Sequence, residues 1–348
     1  MKHTHLHTRL LALLLCCALV LPLSACGEAK STTQQIFAMD TVMDLTAYGK
    51  KADDGINAAI SIINSMDTLL DPENERSKTY EINHAMGSPV VVNEQIAKML
   101  RTALTVYERT NGAFDLTTYP LSKLWGFIDQ NYRVPSDAEI ERLLPCVDMR
   151  KVQLAATDDS ANSLITMPAD MALSFGAVAK GCASDYAIQA MRAAGVTSGV
   201  VSLGGNVQTL GKKPDGSDWN IAIQDPNDTG SYLGYLTVGE TAVITSGSYQ
   251  RYFTEGGQKY HHILSPTTGR PVNNGLLAVT IVCEDGTLAD CLSTAMFVLG
   301  PQAALNYWRT YGGFEMLLVK ADGHVVLTNG LYGQFTPNGD SYVVDYAS

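Results

Sequence analysis

Asp290 and Thr294 sit four residues apart in the apolar run "TLADCLSTAMFVLG", residues 287–300. Residues at this spacing share one helix face, so a carboxylate and a hydroxyl would project together. Both are hard oxygen donors. Magnesium suits such donors and often uses only one or two carboxylates beside substrate phosphates. The blander reading has Asp290 capping its own helix and Thr294 bonding back to its own backbone. The pair alone leaves both open. An ionised carboxylate among so many apolar neighbours still calls for a cationic partner.

Three other segments carry groups of comparable use. Lys180 follows "GAVA" where a helix is expected to begin. Amide groups and the positive dipole end favour anions there, and a lysine adds a point charge for phosphate. A solvated lysine is the ordinary alternative. "LGGN" (203–206) reads as a glycine turn between strands that could approach a phosphate. His261 and His262 are adjacent in an expected strand, so alternation sends them to opposite faces and at most one easily enters a site. That one could take a proton from an attacking hydroxyl; otherwise it is a core histidine bonded to backbone. "NGAFDLTTYPLSKLWGF" (111–127) could offer a flat apolar wall and a carboxylate to a ring-shaped ligand, or simply pack a corner.

The elements that must position these groups follow from pattern. A strand is expected over residues 35–49 and amphipathic helices over 52–70 and 93–112, the second with Asn93 as N-cap and Asn-Gly at its end. Ser136 and Glu139 form a capping-box pattern. Further helices are expected over 176–195, 287–300 and 301–313. Strand, turn and strand fill 198–211, a buried strand precedes Asp290, and two last strands (314–323 and 324–330) complete the chain. Strands mixed with a few long helices indicate an α+β fold, one compact domain of two interlocked lobes with mixed or antiparallel sheets.

The 348 residues are 46% hydrophobic, with 24 Lys and Arg against 35 Asp and Glu, a net charge of −11. That balance, without a basic stripe, argues against nucleic acid as a partner. Lys2 and Arg9 give a positive segment before an apolar run at 10–21 of signal-peptide length. "LSAC" (23–26) then resembles a lipobox, which makes Cys26 a lipidation site, residues 1–25 a signal peptide and 26–35 a polar tether before a domain at 36–348. Of seven cysteines, Cys146, Cys182, Cys283 and Cys291 lie in the domain without CxxC spacing and read as small core residues.

Several long motifs in one order resemble the ApbE family, the FAD:protein FMN transferases. They include "FAMDTVMDLTAYG", "NGAFDLTTYPLSKLWGF", "GAVAKGCASD", "VVSLGGNVQTLGKKPDGSDWNIAIQDP", "TSGSYQRYF", "YHHILSPTTGRPV" and "ADCLSTAMFVLG". The resemblance implies Mg²⁺-dependent transfer of FMN from FAD to a threonine of a target protein, with release of AMP. Targets would be extracytoplasmic FMN-binding domains or redox-complex subunits. The enzyme would sit on the extracytoplasmic face of the bacterial cell membrane through its lipid. It also implies ligands: Asp290, Thr294 and the Ala177 carbonyl for the metal, and Met39, Ala113, Phe114, Asp115, Lys180 and Ile263 for FAD. His262 matches the histidine of the "HHI" strand and is the candidate proton acceptor. The chain departs from the family pattern at Asp40 (often Gly), Ser174 (often Asp) and Glu73 (often Tyr). A Mg²⁺-dependent FAD pyrophosphatase and a non-catalytic flavin-binding lipoprotein are the alternatives.

Overall fold

Nine strands hydrogen-bond into one sheet in a computed structural model that describes residues 30–347. The order across it is Ser31–Ala38, Thr41–Tyr48, Gly199–Leu203, Asn206–Leu210, Ala242–Gly247, Leu276–Cys283, Glu315–Lys320, His324–Thr328 and Val343–Ala347. Every neighbouring pair is antiparallel except the last, which is parallel. The expected signal peptide and lipidation site, residues 1–25 and Cys26, lie outside the described residues.

The central strands are apolar on both faces because both faces are covered. Along Ala242–Gly247, Ala242 and Ile244 join the core beneath the helices, while Val243 joins the core on the other side. Helices Ala52–Leu70, Glu94–Arg109, Ala179–Ala193 and Gly286–Leu299 form the first layer. Strands Trp219–Gln224, Tyr232–Val238 and Phe335–Pro337 make a small sheet over the second. What the sequence reads as interlocked lobes are the two sides of the large sheet.

Local signals explain the helices. Ala52–Leu70 buries Ile56, Ala59, Ile63, Met66 and Leu70, a three-to-four spacing. Asn93 accepts the Ile96 amide and starts Glu94–Arg109, a cap worth about 1 kcal/mol. The Ser136–Glu139 capping box forms in both directions. Gly286–Leu299 is apolar nearly all round and is buried to match.

Three expectations change. The strand at 35–49 is a hairpin: Met39 and Asp40 both take positive φ (48° and 58°), the form of a tight two-residue hairpin turn, and Asp is among the few non-glycine residues that tolerate it. The first strand starts at Ser31, so residues 31–35 are sheet and not tether. The chain also goes on past the two expected last strands to Phe335–Pro337 and Val343–Ala347.

Candidate functional site

The first turn of the Lys180 helix (Ala179–Ala193) crosses the first turn of the Asp290 helix (Gly286–Leu299) with almost no space between them. A Cβ on Gly181 would lie 2.1 Å from the Gly286 carbonyl oxygen and 2.6 Å from Asp290 Cβ. A Cβ on Gly286 would meet the Gly181 carbonyl and Asp185. Glycine at both positions is the condition for the crossing.

The crossing lets each helix offer a carboxylate to the other's N-terminus, where amides lack helical partners. Asp185, on the Lys180 helix, accepts the Gly286 amide (2.8 Å), the Thr287 amide (3.0 Å) and the Thr287 hydroxyl (2.6 Å). It also takes Gln208 Nε2 at 3.1 Å and Lys98 Nζ at 2.8 Å. Burial alone would raise its pKa, but the Lys98 charge and these donors hold it below the usual carboxylate range.

Asp290 answers from the opposite helix. Its Oδ2 accepts the Gly181 amide and its Oδ1 accepts Asn206 Nδ2, both at 2.9 Å. It is 3% exposed and has no ion pair among the described residues. The helix's own N-cap is Asp285, which accepts the Leu288 amide; the capping role that was open for Asp290 belongs there. The Gly181 amide would ordinarily close a turn on the Ala177 carbonyl. It goes to Asp290 instead, and no described helical amide closes on Ala177. Thr294 Oγ1 lies 3.2 Å from Ser246 Oγ, on the central strand Ala242–Gly247.

Asp290, Thr294, Ala177 and Lys180 open into a cavity of about 930 Å³, a size suited to a dinucleotide. Met39, Ala113, Phe114, Asp115, His262 and Ile263 line the same cavity, so all ten expected site residues within the domain come together. Two are more enclosed than contact through the side chain suggests. Phe114 is 1% exposed. The Asp115 carboxylate turns inward onto the Thr117 amide and hydroxyl and the Met149 amide. Burial pushes its pKa up against those bonds.

The two histidines separate. His261 ends the strand Gln258–His261, bonds Val272 O through Nε2 and takes the Ile263 amide on Nδ1, and packs edge-on against Phe297. It is a satisfied core residue. His262 follows the strand and faces the cavity. Its Nδ1 lies 3.1 Å from the Arg251 carbonyl, which can only accept, so Nδ1 carries the proton and Nε2 presents a lone pair. Burial, then the Arg251 charge, push its pKa down to about 3, so the ring is neutral at neutral pH.

The departures from the family pattern also have places. Glu73 accepts the Tyr119 hydroxyl and pairs with Lys123 at 2.9 Å; that donation from Tyr119 holds it below its ordinary value. Tyr119 itself lines the cavity, as do Asp40 and Ser174. "LGGN" is the hairpin turn between two central strands. Gly204 and Gly205 take positive φ, and a Cβ on Gly204 would strike Thr41 of the neighbouring hairpin. It delivers Asn206 to Asp290. Asn206, Ser246 and the Asp185–Lys98 pair were not singled out from sequence; a polar residue directly after a Gly-Gly turn was the available signal for the first.

The donor set at Asp290 fits a hard divalent cation. It comprises a buried carboxylate without a cationic partner, a hydroxyl on the same face and a carbonyl released from its helix. It contains no group of three His, Cys, Asp or Glu side chains, and none that could hold a metal occurs among the described residues. Cys182, Cys283 and Cys291 are buried and free, and Cys146 is free and half-buried, as expected of packing residues.

A family model described as the ApbE family matches residues 39–318. The chain is 31% identical over 285 residues to an FAD:protein FMN transferase of Klebsiella pneumoniae, covering 81% of this chain and 87% of that protein. It is 29% identical over 326 residues to one of Treponema pallidum, covering 88% and 90%. Among solved structures, the ApbE protein of Thermotoga maritima superposes with a TM-score of 0.81 at 30% identity, over 88% of this chain and 99% of that one. The apo flavinyl transferase ApbE of Pseudomonas stutzeri gives 0.76 at 26% identity, over 90% and 99%.

Proposed function

The chain belongs to the ApbE family, and from that membership we propose that it transfers the FMN moiety of FAD to a threonine hydroxyl of a target protein, with Mg²⁺ held by Asp290, Thr294 and the Ala177 carbonyl. The observation that carries the reading is the buried Asp290 carboxylate, met only by neutral donors and open to a cavity of dinucleotide size. A divalent cation there would neutralise charge on the pyrophosphate and on the departing phosphate.

The chain's own groups divide the remaining work. Lys180, in the first turn of its helix, adds positive charge where the helix N-terminus already favours an anion. Met39, Ala113, Phe114 and Ile263 give apolar wall to the flavin end. His262 Nε2 takes the proton of the acceptor hydroxyl as its oxygen bonds to the riboflavin-side phosphorus. The bond from that phosphorus to the bridging oxygen breaks and AMP leaves. A pKa near 3 makes His262 a weak base in the free protein. The negative charge of bound FAD would offset Arg251 and Lys180 and raise it toward a useful value.

Lipidation at Cys26 would hold the enzyme on the extracytoplasmic face of the membrane, where FMN-binding domains and redox-complex subunits are the acceptors. A Cys26→Ser chain should then move from the membrane to the soluble fraction. The central test incubates the protein with FAD, Mg²⁺ and a candidate FMN-binding domain. Mass spectrometry should show one FMN moiety on a threonine of the acceptor and AMP in solution. FMN and AMP formed equally fast without acceptor would make the enzyme a pyrophosphatase instead. FAD bound with no turnover in either assay would make it a flavin carrier.

A further inference from the structure

We propose that Ser246 is a positioning residue that commits the Thr294 hydroxyl proton away from the cavity, leaving the Thr294 oxygen to act only as a lone-pair donor toward a bound cation. The inference rests on the cation site proposed above, and its argument is a count of protons. Three hydroxyls meet beneath Asp290. Ser293 Oγ lies 2.9 Å from the Asp290 backbone carbonyl, Ser246 Oγ lies 2.8 Å from Ser293 Oγ, and Thr294 Oγ1 lies 3.2 Å from Ser246 Oγ. A carbonyl only accepts, so Ser293 donates its single proton to it. Ser293 has no second proton, so Ser246 donates in the next contact. Ser246 has then used its own proton, so Thr294 donates in the third.

The direction is fixed from the buried end. Ser293 is fully buried, and its acceptor belongs to the residue whose carboxylate meets the Lys180 helix. Were the chain reversed, the Thr294 proton would point where a cation must sit. The sheet supplies the middle link. Ile244 and Ser246 alternate onto the helix-covered face of the central strand Ala242–Gly247, and Ser246 pairs in register with Val279. Thr245 points the other way and bonds Thr280, so only the serine of "TSG" can reach Thr294.

The test reads metal binding, not turnover. Mn²⁺ is titrated into the FAD-saturated protein without acceptor and followed by electron paramagnetic resonance. Melting temperature and FAD affinity are measured separately in EDTA. Ser246→Ala should weaken Mn²⁺ binding about tenfold or more, the usual cost of losing a group that orients a metal ligand. Both EDTA readouts should stay at parental values. Ser246→Thr, which keeps the hydroxyl, should restore binding. Should the alanine chain fail to fold, Ser246→Cys, nearly isosteric and a poor acceptor, carries the same test. Parental Mn²⁺ affinity in the alanine (or cysteine) chain overturns the proposal, as does a loss that the EDTA melting temperature accounts for. Asp290→Ala is run beside them. If it too keeps parental affinity, the cation site itself has failed; if it alone loses Mn²⁺, only the role of Ser246 has.

Discussion

Asp185 and Asp290 are near mirror images. Each is a buried aspartate on one of two crossing helices, and each reaches the other helix's N-terminal amides. Their surroundings then diverge. Asp185 has four neutral donors and a lysine, and points into the protein. Asp290 has two neutral donors and opens on the cavity. The same side chain in the same packing motif is a joint in one place and a site in the other. What separates them is whether the fold completes the charge or leaves it for something outside. Burial alone would have ranked them together.

The sharpest way to break this contrast is to remove each carboxylate in turn. Asp290→Ala should lower FMN transfer by roughly a thousandfold or more, measured with an acceptor domain, while the melting temperature moves by a few degrees at most. Normal transfer would end the functional assignment. Asp185→Ala should do the reverse: lose about 3 kcal/mol in urea unfolding, because Lys98 is left without its buried partner. That is the low end of the range, since Lys98 keeps some contact with water. A variant as stable as the parent would show that Asp185 is no joint.

Gly181→Ala tests the crossing that both aspartates share. Its Cβ would have to displace the Gly286 carbonyl, at a cost of about 1–3 kcal/mol. Transfer measured on the folded fraction should fall as well, because the Asp290 carboxylate shifts with the helix.

The smallest effect is in pH, and it comes in two windows. His262 is held near 3, well below its ordinary value. Between about pH 6.5 and 3 the unfolded chain therefore binds a proton that the folded one does not, and stability falls as pH drops. His262→Gln should flatten the melting temperature between pH 7 and 4. The Asp185 pKa is also lowered; its stabilisation is complete above the ordinary carboxylate pKa of about 3.9 and is lost below it. Asp185→Asn should change the curve's shape only in that lower window. Equal slopes in parent and variants would remove the assigned shifts.

Helices were the most legible part of the chain, because caps and periodicity are local. Asn93, the Ser136–Glu139 box and the stripe from Ile56 to Leu70 all formed where the pattern put them. The expected site residues came from the family resemblance, and one cavity gathers them. Asp185 was not legible, since within "GCASDY" it looks like any polar helical residue; its five donors come from three other segments. Ser246 needs the sheet register before it faces Thr294. The first strand escaped notice because "STTQQ" lacks apolar alternation, and its outer position never demanded any. The last two strands are short, three and five residues, and the turn-forming run from Pro337 to Asp340 separates them.

Those overlooked ends bound the large sheet on both sides. Ser31–Ala38 covers the backbone of Thr41–Tyr48 with eight paired residues, and Val343–Ala347 covers His324–Thr328 with five. Ser31–Ala38 is largely polar and Val343–Ala347 is short and carries Asp345; a bare apolar edge invites pairing with other chains. A shortened chain begun at Ile36, where composition suggests trimming, would strip five residues from the cover of Thr41–Tyr48. Its first symptom would be clumping during expression, with the cavity chemistry untouched, so the practical boundary for soluble material lies at or before Ser31.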